Sequence, residues 1–321
     1  MSNRDYDDLR RDDKVTFVLT ICGKKSIWMM ADQRLSKPPR VVSDNASKIF
    51  SLETLDGVAL VGYSGLGATA KGTEPSEWMA RVLRGQNLTL IDSVDEIVRA
   101  MNSQFPRHGR TINRQVIYEH QVLILAYVDK HPRRMLIVYD KNIKQFIRID
   151  LFDGRSGGAH PALATGSGAA YLVKVRDGNL FYVRGPNARK IKSLINMVKA
   201  ADNKRISYLR AADCFSELNW EVHCNVRTVG PNCLVMWRNL AGGGAFQFYK
   251  GLERVQGRSP SAVTNGMELM PIIDIIGGHF ERIMQETQGG RVQIDYDMDK
   301  FTAMLNIELS RLPSTPDDNL E

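Results

Sequence analysis

Residues 16–65 read TFVLTICGKKSIWMMADQRLSKPPRVVSDNASKIFSLETLDGVALVGYSG, and this stretch decides the fold. Two apolar, β-prone runs, 16–22 and 26–32, are separated by Gly23-Lys24-Lys25, a loop of hairpin length. With Lys24 as the turn centre, Thr20 faces Trp28, Val18 faces Met30 and Thr16 faces Asp32. Directly opposed residues in such a pair lie roughly 5 Å apart on one sheet face. The hairpin thus brings a hydroxyl and a carboxylate together at its open end. Both of its faces are apolar, which implies layers above and below the sheet. A second hairpin is expected from Lys48 to Leu52 and from Val58 to Gly65, turning at Asp56-Gly57.

Asp32 follows Thr16 by 16 residues, Lys48 follows Asp32 by 16, and Gly62 follows Lys48 by 14. With Ala31-Asp32-Gln33-Arg34, Lys48-Ile49-Phe50 and the downstream Gly166-Ser167-Gly168, this pattern resembles the β-subunits of the proteasome family, bacterial type. These are N-terminal-nucleophile (Ntn) threonine peptidases. The resemblance spans roughly residues 14–240. It implies an α+β fold, a four-layer α-β-β-α sandwich, carried by residues 16–257. Residues 1–15 would be a polar leader or propeptide, and 258–321 a C-terminal extension able to form an interface. It also implies that a cut between Val15 and Thr16 frees the Thr16 amine.

The chemistry explains the residue types. A threonine hydroxyl needs a base, and a free α-amine on the same residue, with a pKa of about 7.7–8.0, suits that role near neutral pH. Lys48 would lower the hydroxyl and amine pKa values, and Asp32 would hold Lys48 charged and in place. The Gly62 N–H would stabilise the oxyanion, and Ser167 and Asn225 would support the proton network. Leu60, alternate to Gly62, would line a pocket for an apolar side chain. No metal and no organic cofactor is implied. The chain departs from the family pattern at Val15, where self-cutting precursors carry Gly. It departs again at Asn225 and Thr228, where the family's Asp-x-x-Ser-Gly-Gly has Asp and Ser. Two alternatives share the fold: a non-catalytic structural or regulatory subunit, and a small-molecule amide hydrolase. The expected partners are a peptide or protein substrate, further copies of the chain in a homo-oligomer such as a ring, and an ATPase.

Other features bound the reading. Hydrophobic content of 43% and charged content of 25% are those of an ordinary globular protein. No run approaches the ~20 apolar residues of a membrane helix, and the charged start, MSNRDYDDLRRDDK, is no secretory signal, so a cytoplasmic protein with no membrane partner is expected. A net charge of +7 raises nucleic acid as a partner, but the basic residues are scattered without interleaved aromatics, which argues against it. The four cysteines lack CxxC spacing and read as buried thiols. Gly166-Ser167-Gly168 lacks the Gly-Lys-Ser/Thr ending of a phosphate loop.

Along the rest of the chain, helices are expected at about 68–83, from a capping box at Ser93 to Glu96 onward, at about 187–201 and at about 206–218. Strands are expected at 121–128, 134–139, 145–150, 232–237 and 245–249. A helical stripe of Phe301, Met304, Leu305, Leu309 and Leu312 marks the extension.

Overall fold

The computed structural model describes residues 16–37, 40–65, 74–111, 120–153, 162–172, 188–269 and 272–273. The expected leader, the segment before Glu74, the Gly154–Pro161 loop, Asn187 as a helix cap and the 301–312 stripe lie outside these residues.

The first hairpin joins β1 (Phe17–Cys22) to β2 (Ser26–Asp32). Its register is one residue away from the expected one: Val18 pairs with Ala31, and Thr20 with Met29 rather than Trp28. The cause is the turn. Gly23 N–H donates to Ser26 O at 2.8 Å, so the loop proper is Lys24-Lys25 and the pair 23–26 closes it. That closure is fixed from outside by Asp202, which accepts from Lys25 N–H at 2.9 Å and from Ser26 Oγ. A one-residue shift exchanges partners across the whole ladder. Phe17, Leu19 and Ile21 share a cluster with Trp28 and Met30, whereas Val18 packs with Ile27, Met29 and Ala31. Both faces are buried, as the composition required.

After a short ladder of β3 (Leu35–Lys37) and β4 (Arg40–Ser43), the second hairpin pairs β5 (Ile49–Thr54) with β6 (Gly57–Ser64). Thr54 pairs with Gly57, so the turn is Leu55-Asp56, again one residue off the expectation. Asp56 Oδ1 accepts from Thr54 Oγ1 at 2.8 Å and from Leu90 N–H at 2.9 Å, which ties the turn to the next helix. Gly57 is needed for a different reason: an added Cβ would lie 2.3 Å from the Tyr127 carbonyl oxygen.

Helices α1 (Pro75–Leu83) and α2 (Leu90–Thr111) follow. The second starts a turn before the expected capping box. Asp92 N–H donates to Thr89 Oγ1 at 3.2 Å, so Thr89 caps the helix and Ser93 lies inside it. Strands β7 (Gln121–Val128), β8 (His131–Asp140) and β9 (Gln145–Asp153) form a meander onto β6. β7 has neighbours on both sides and seven buried residues of eight, as its unbroken apolar run predicted. Then come β10 (Ala162–Gly166), α3 (Ser167–Leu172), α4 (Ala188–Asp202), α5 (Tyr208–Asn225), β11 (Cys233–Asn239), β12 (Gly244–Lys250) and β13 (Glu253–Val255). Two last strands are β14 (Ala262–Thr264) and β15 (Met267–Glu268).

The fold is α+β, with two large sheets. One runs β10-β1-β2-β11-β12-β13, the other β15-β14-β5-β6-β7-β8-β9. One apolar cluster joins Val18, Met29 and Ala31 of the first sheet to Ile49, Leu60 and Leu125 of the second. A second joins Trp28 and Val235 to Leu194, Phe215 and Leu218 of α4 and α5, and a third joins Val61 and Ile124 to Met79, Val94 and Ile97 of α1 and α2. Trp28 anchors the second cluster, stacked on Phe215 at 5.4 Å and on Trp237 at 5.1 Å between centroids. Each such ring pair contributes about 0.5–1.5 kcal/mol beyond its burial.

Residues 262–268 join the second sheet. β14 runs parallel to β5, Ala262 opposite Ser51 and Thr264 opposite Glu53, and Glu268 is ion-paired with Arg84 after α1. Among the described residues no helix is long and apolar enough to cross a membrane.

Candidate active site

Thr16 immediately precedes β1, Asp32 ends β2 and Lys48 immediately precedes β5, so three strand ends converge. Lys48 Nζ donates to Thr16 Oγ1 at 3.2 Å and to Asp32 Oδ1 at 3.0 Å. All three residues are at most 1% exposed. Burial pushes the Lys48 ammonium below its ordinary range, and the charge of Asp32 pushes back. A cation this deep is retained only beside an anion with good geometry.

Asp32 supplies that anion and is saturated. Oδ1 accepts from Lys48 Nζ and from Phe17 N–H at 2.7 Å, and Oδ2 accepts from Gly230 N–H at 3.0 Å and Arg34 N–H at 3.2 Å. A carboxylate offers about four lone-pair sites, and here each meets a donor. The Phe17 N–H belongs to the same peptide group as the Thr16 carbonyl. That carbonyl accepts from Ser167 Oγ at 3.3 Å and Gly168 N–H at 3.4 Å, so the peptide after Thr16 is held at both ends. Ser167 Oγ in turn accepts from Thr228 Oγ1 at 2.8 Å. The loop carrying Thr228 and Gly230 is held by Arg34, whose guanidinium donates to Arg227 O at 2.9 Å and pairs with Asp44 at 2.7 Å.

Three of the expected site residues lie elsewhere. Gly62 is inside β6, opposite Ile49 on one side and Leu123 on the other. Because Tyr63 N–H donates to Lys48 O, the Gly62 N–H, one residue earlier, turns toward β7 and into the ladder. An added Cβ there would meet Met29 Sδ at 2.5 Å, so Gly62 is a packing glycine between the sheets. Leu60 shares its face and is fully buried in the same inter-sheet cluster, which removes it from any substrate pocket. Asn225 ends α5 and is exposed, its Nδ2 donating to Glu221 O at 2.8 Å. The helix runs seven residues past the expected end at 218 and ends at Asn225.

The glycine that reaches Thr16 Oγ1 is Gly65, just past β6. Its carbonyl accepts from Thr16 Oγ1 at 3.5 Å, and its φ of +151° suits only glycine. Arg34, Thr228 and Gly230 are the other residues not singled out for this role in the sequence. The last two stand in the stretch that matched the family's Asp-x-x-Ser-Gly-Gly, and Arg34 in Ala31-Asp32-Gln33-Arg34. Among the described residues no group of three or more His, Cys, Asp or Glu is placed to hold a metal ion.

Gly166 closes the site from the β10 side. Its φ is +85°, and an added Cβ would lie 2.0 Å from the Thr16 carbonyl oxygen. Gly166→Ala is therefore expected to displace Thr16 and lose at least about 2 kcal/mol, since both the conformation and the contact oppose it. Gly85, with φ +74° and nothing within 4 Å, supplies the control. Its alanine variant should lose only the left-handed conformational cost of about 1–2 kcal/mol. Denaturant midpoints of the two variants decide, and equal losses would mean that the contact with Thr16 carries no weight.

No protein-family model matches the chain, and no curated protein matches it. Among solved structures it is similar to Anbu from Hyphomicrobium sp. strain MC1, at 9% identity over 88% of this chain and 100% of that one, with a TM-score of 0.44. It is also similar to Anbu (ancestral beta-subunit) from Yersinia bercovieri, at 12% identity over the same shares and a TM-score of 0.43.

Proposed function

We propose that the chain is a proteasome-like threonine peptidase on a four-layer α-β-β-α sandwich, hydrolysing peptide bonds with a processed N-terminal Thr16. The observation that carries this reading is the buried contact of Lys48 Nζ with both Thr16 Oγ1 and Asp32 Oδ1. The three apolar clusters, one between the sheets and one on each outer face, support the layering. Once a cut after Val15 frees the Thr16 amine, that amine takes the hydroxyl proton as Oγ1 attacks the substrate carbonyl. It then gives the proton to the leaving nitrogen as the C–N bond breaks, leaving an ester on Thr16 and releasing the amine product. Water then hydrolyses the ester and regenerates the hydroxyl. Lys48 lowers the hydroxyl pKa, and Asp32 fixes Lys48. The Gly65 carbonyl, which accepts from Thr16 Oγ1 at 3.5 Å, orients the nucleophile, and Ser167 with Thr228 forms the proton network without Asn225. A homo-oligomer, such as a ring, would confine these sites.

One observation favours a second reading, a non-catalytic subunit of the same fold: the position matching the family's tuning acid is an exposed Asn225 outside the cluster. Intact mass and N-terminal sequence of the protein purified from its own host separate the two. A chain beginning at Thr16 is expected. A chain that keeps Val15 sinks the N-terminal-nucleophile mechanism and leaves the non-catalytic reading.

A further inference from the structure

Gly65 touches Thr16 through its carbonyl, while its α-carbon rests on a buried pair that the chemistry above does not use. Tyr63 Oη and His120 Nδ1 are hydrogen-bonded to each other, and both residues are buried. A Cβ built on Gly65 would lie 2.9 Å from His120 Nδ1 and 3.0 Å from Tyr63 Oη. The pair thus fills the space behind the α-carbon and fixes where the Gly65 peptide can lie.

Each member is itself anchored. Tyr63 N–H donates to Lys48 O at 2.9 Å, so one residue links the backbone of the buried lysine to Gly65. Burial pushes the Tyr63 phenol up, which keeps its proton in place at neutral pH. His120 immediately precedes β7, and its ring stacks on Phe105 of α2 at 4.7 Å and 27°. Phe105 stacks on Trp78 of α1 at 5.6 Å, and Trp78 Nε1 donates to Gln104 Oε1 at 2.8 Å. Two helices therefore hold the imidazole plane, and the imidazole and phenol hold the glycine.

We propose that Tyr63 and His120 are positioning residues that fix the Gly65 peptide beside Thr16. The proposal rests on the threonine-peptidase reading for its catalytic consequence. The Gly65 carbonyl accepts from Thr16 Oγ1 at 3.5 Å, so its placement sets where the nucleophile points, and a displacement of about 1 Å can cost on the order of 100-fold in rate.

Tyr63→Phe removes one hydroxyl at constant shape, His120→Ala removes the ring, and His120→Gln restores a polar side chain. Two readouts are taken on the full chain: kcat and KM for one fluorogenic peptide, and amide hydrogen exchange of the 62–65 segment by mass spectrometry. Tyr63→Phe and His120→Ala should lower kcat by roughly tenfold or more with KM within about twofold, and His120→Gln should recover part of the loss. The 62–65 segment should exchange faster in both damaging variants. Unchanged kcat and unchanged exchange in Tyr63→Phe, the variant least able to disturb folding, would overturn the proposal. A wild-type protein without hydrolysis would instead count against the peptidase reading. The exchange arm then still decides whether the pair holds Gly65, and no acceleration overturns it.

Discussion

Thr16→Ala is expected to lower peptide hydrolysis at least about 1,000-fold, to the level set by binding and oxyanion contacts alone. Thr16→Ser should keep measurable turnover, because it retains an oxygen in reach of Lys48 Nζ, now 3.2 Å from Thr16 Oγ1. Folding should survive the alanine change. Lys48 loses one acceptor but keeps Asp32 at 3.0 Å, and the Gly65 carbonyl loses the long bond from Thr16 Oγ1, so the cost is about 1.5–3 kcal/mol for the charged bond with a smaller addition for the neutral one. The check is kcat for the three proteins on one peptide, with denaturant midpoints to separate chemistry from stability. Residual activity within tenfold of wild type in the alanine variant would place the nucleophile elsewhere.

Asp32→Ala carries the largest stability effect. It leaves the Lys48 ammonium, 1% exposed, without its anion, and also strips an acceptor from the N–H groups of Phe17, Arg34 and Gly230. Removing one partner of a buried ion pair costs about 3–5 kcal/mol, and the stranded N–H groups add to that. Against a total stability of about 5–15 kcal/mol, the variant should be unfolded or barely folded at 37 °C. Asp32→Asn should rescue little. Its amide nitrogen would replace one oxygen and point a donor at two donors. Chemical denaturation of the three proteins measures this, and a loss below about 1 kcal/mol in the alanine variant would show that Asp32 does not organise the three strand ends.

The central triad was legible because residue spacing along short strands is close to a spatial measurement. Thr16, Asp32 and Lys48 each border or end a strand, and the equal gaps between them correspond to strand-turn-strand lengths. Spacing failed where it could not tell a strand's interior from its end. Gly62 and Gly65 are three residues apart, but only Gly65 lies past β6 in a conformation that excludes other residues. Both hairpin registers were missed by one residue for a related reason. Asp202, 176 residues from Ser26, helps set the first turn, and Leu90 N–H on Asp56 helps set the second, so each register depends on tertiary contacts. Asn225 was misplaced because helical periodicity weakens toward the end of α5. Glu221, His223 and Cys224 there give no apolar stripe, yet the helix continues. The aromatic stack on Trp28 was equally hidden, since Tyr208, Phe215 and Trp237 are far from it in sequence.

The parallel seat of Ala262–Thr264 beside Ser51–Glu53 has a consequence for how the chain is made. The β5-β6 hairpin emerges from the ribosome some 200 residues before its outer neighbour does. Until then the free side of β5 offers unpaired N–H and C=O groups, with buried-type residues Phe50 and Leu52 along it, to any other extended chain. The late strand works as an intramolecular shield. A truncation after residue 257 would leave the buried cluster around Thr16 formally intact while exposing a surface that promotes self-association.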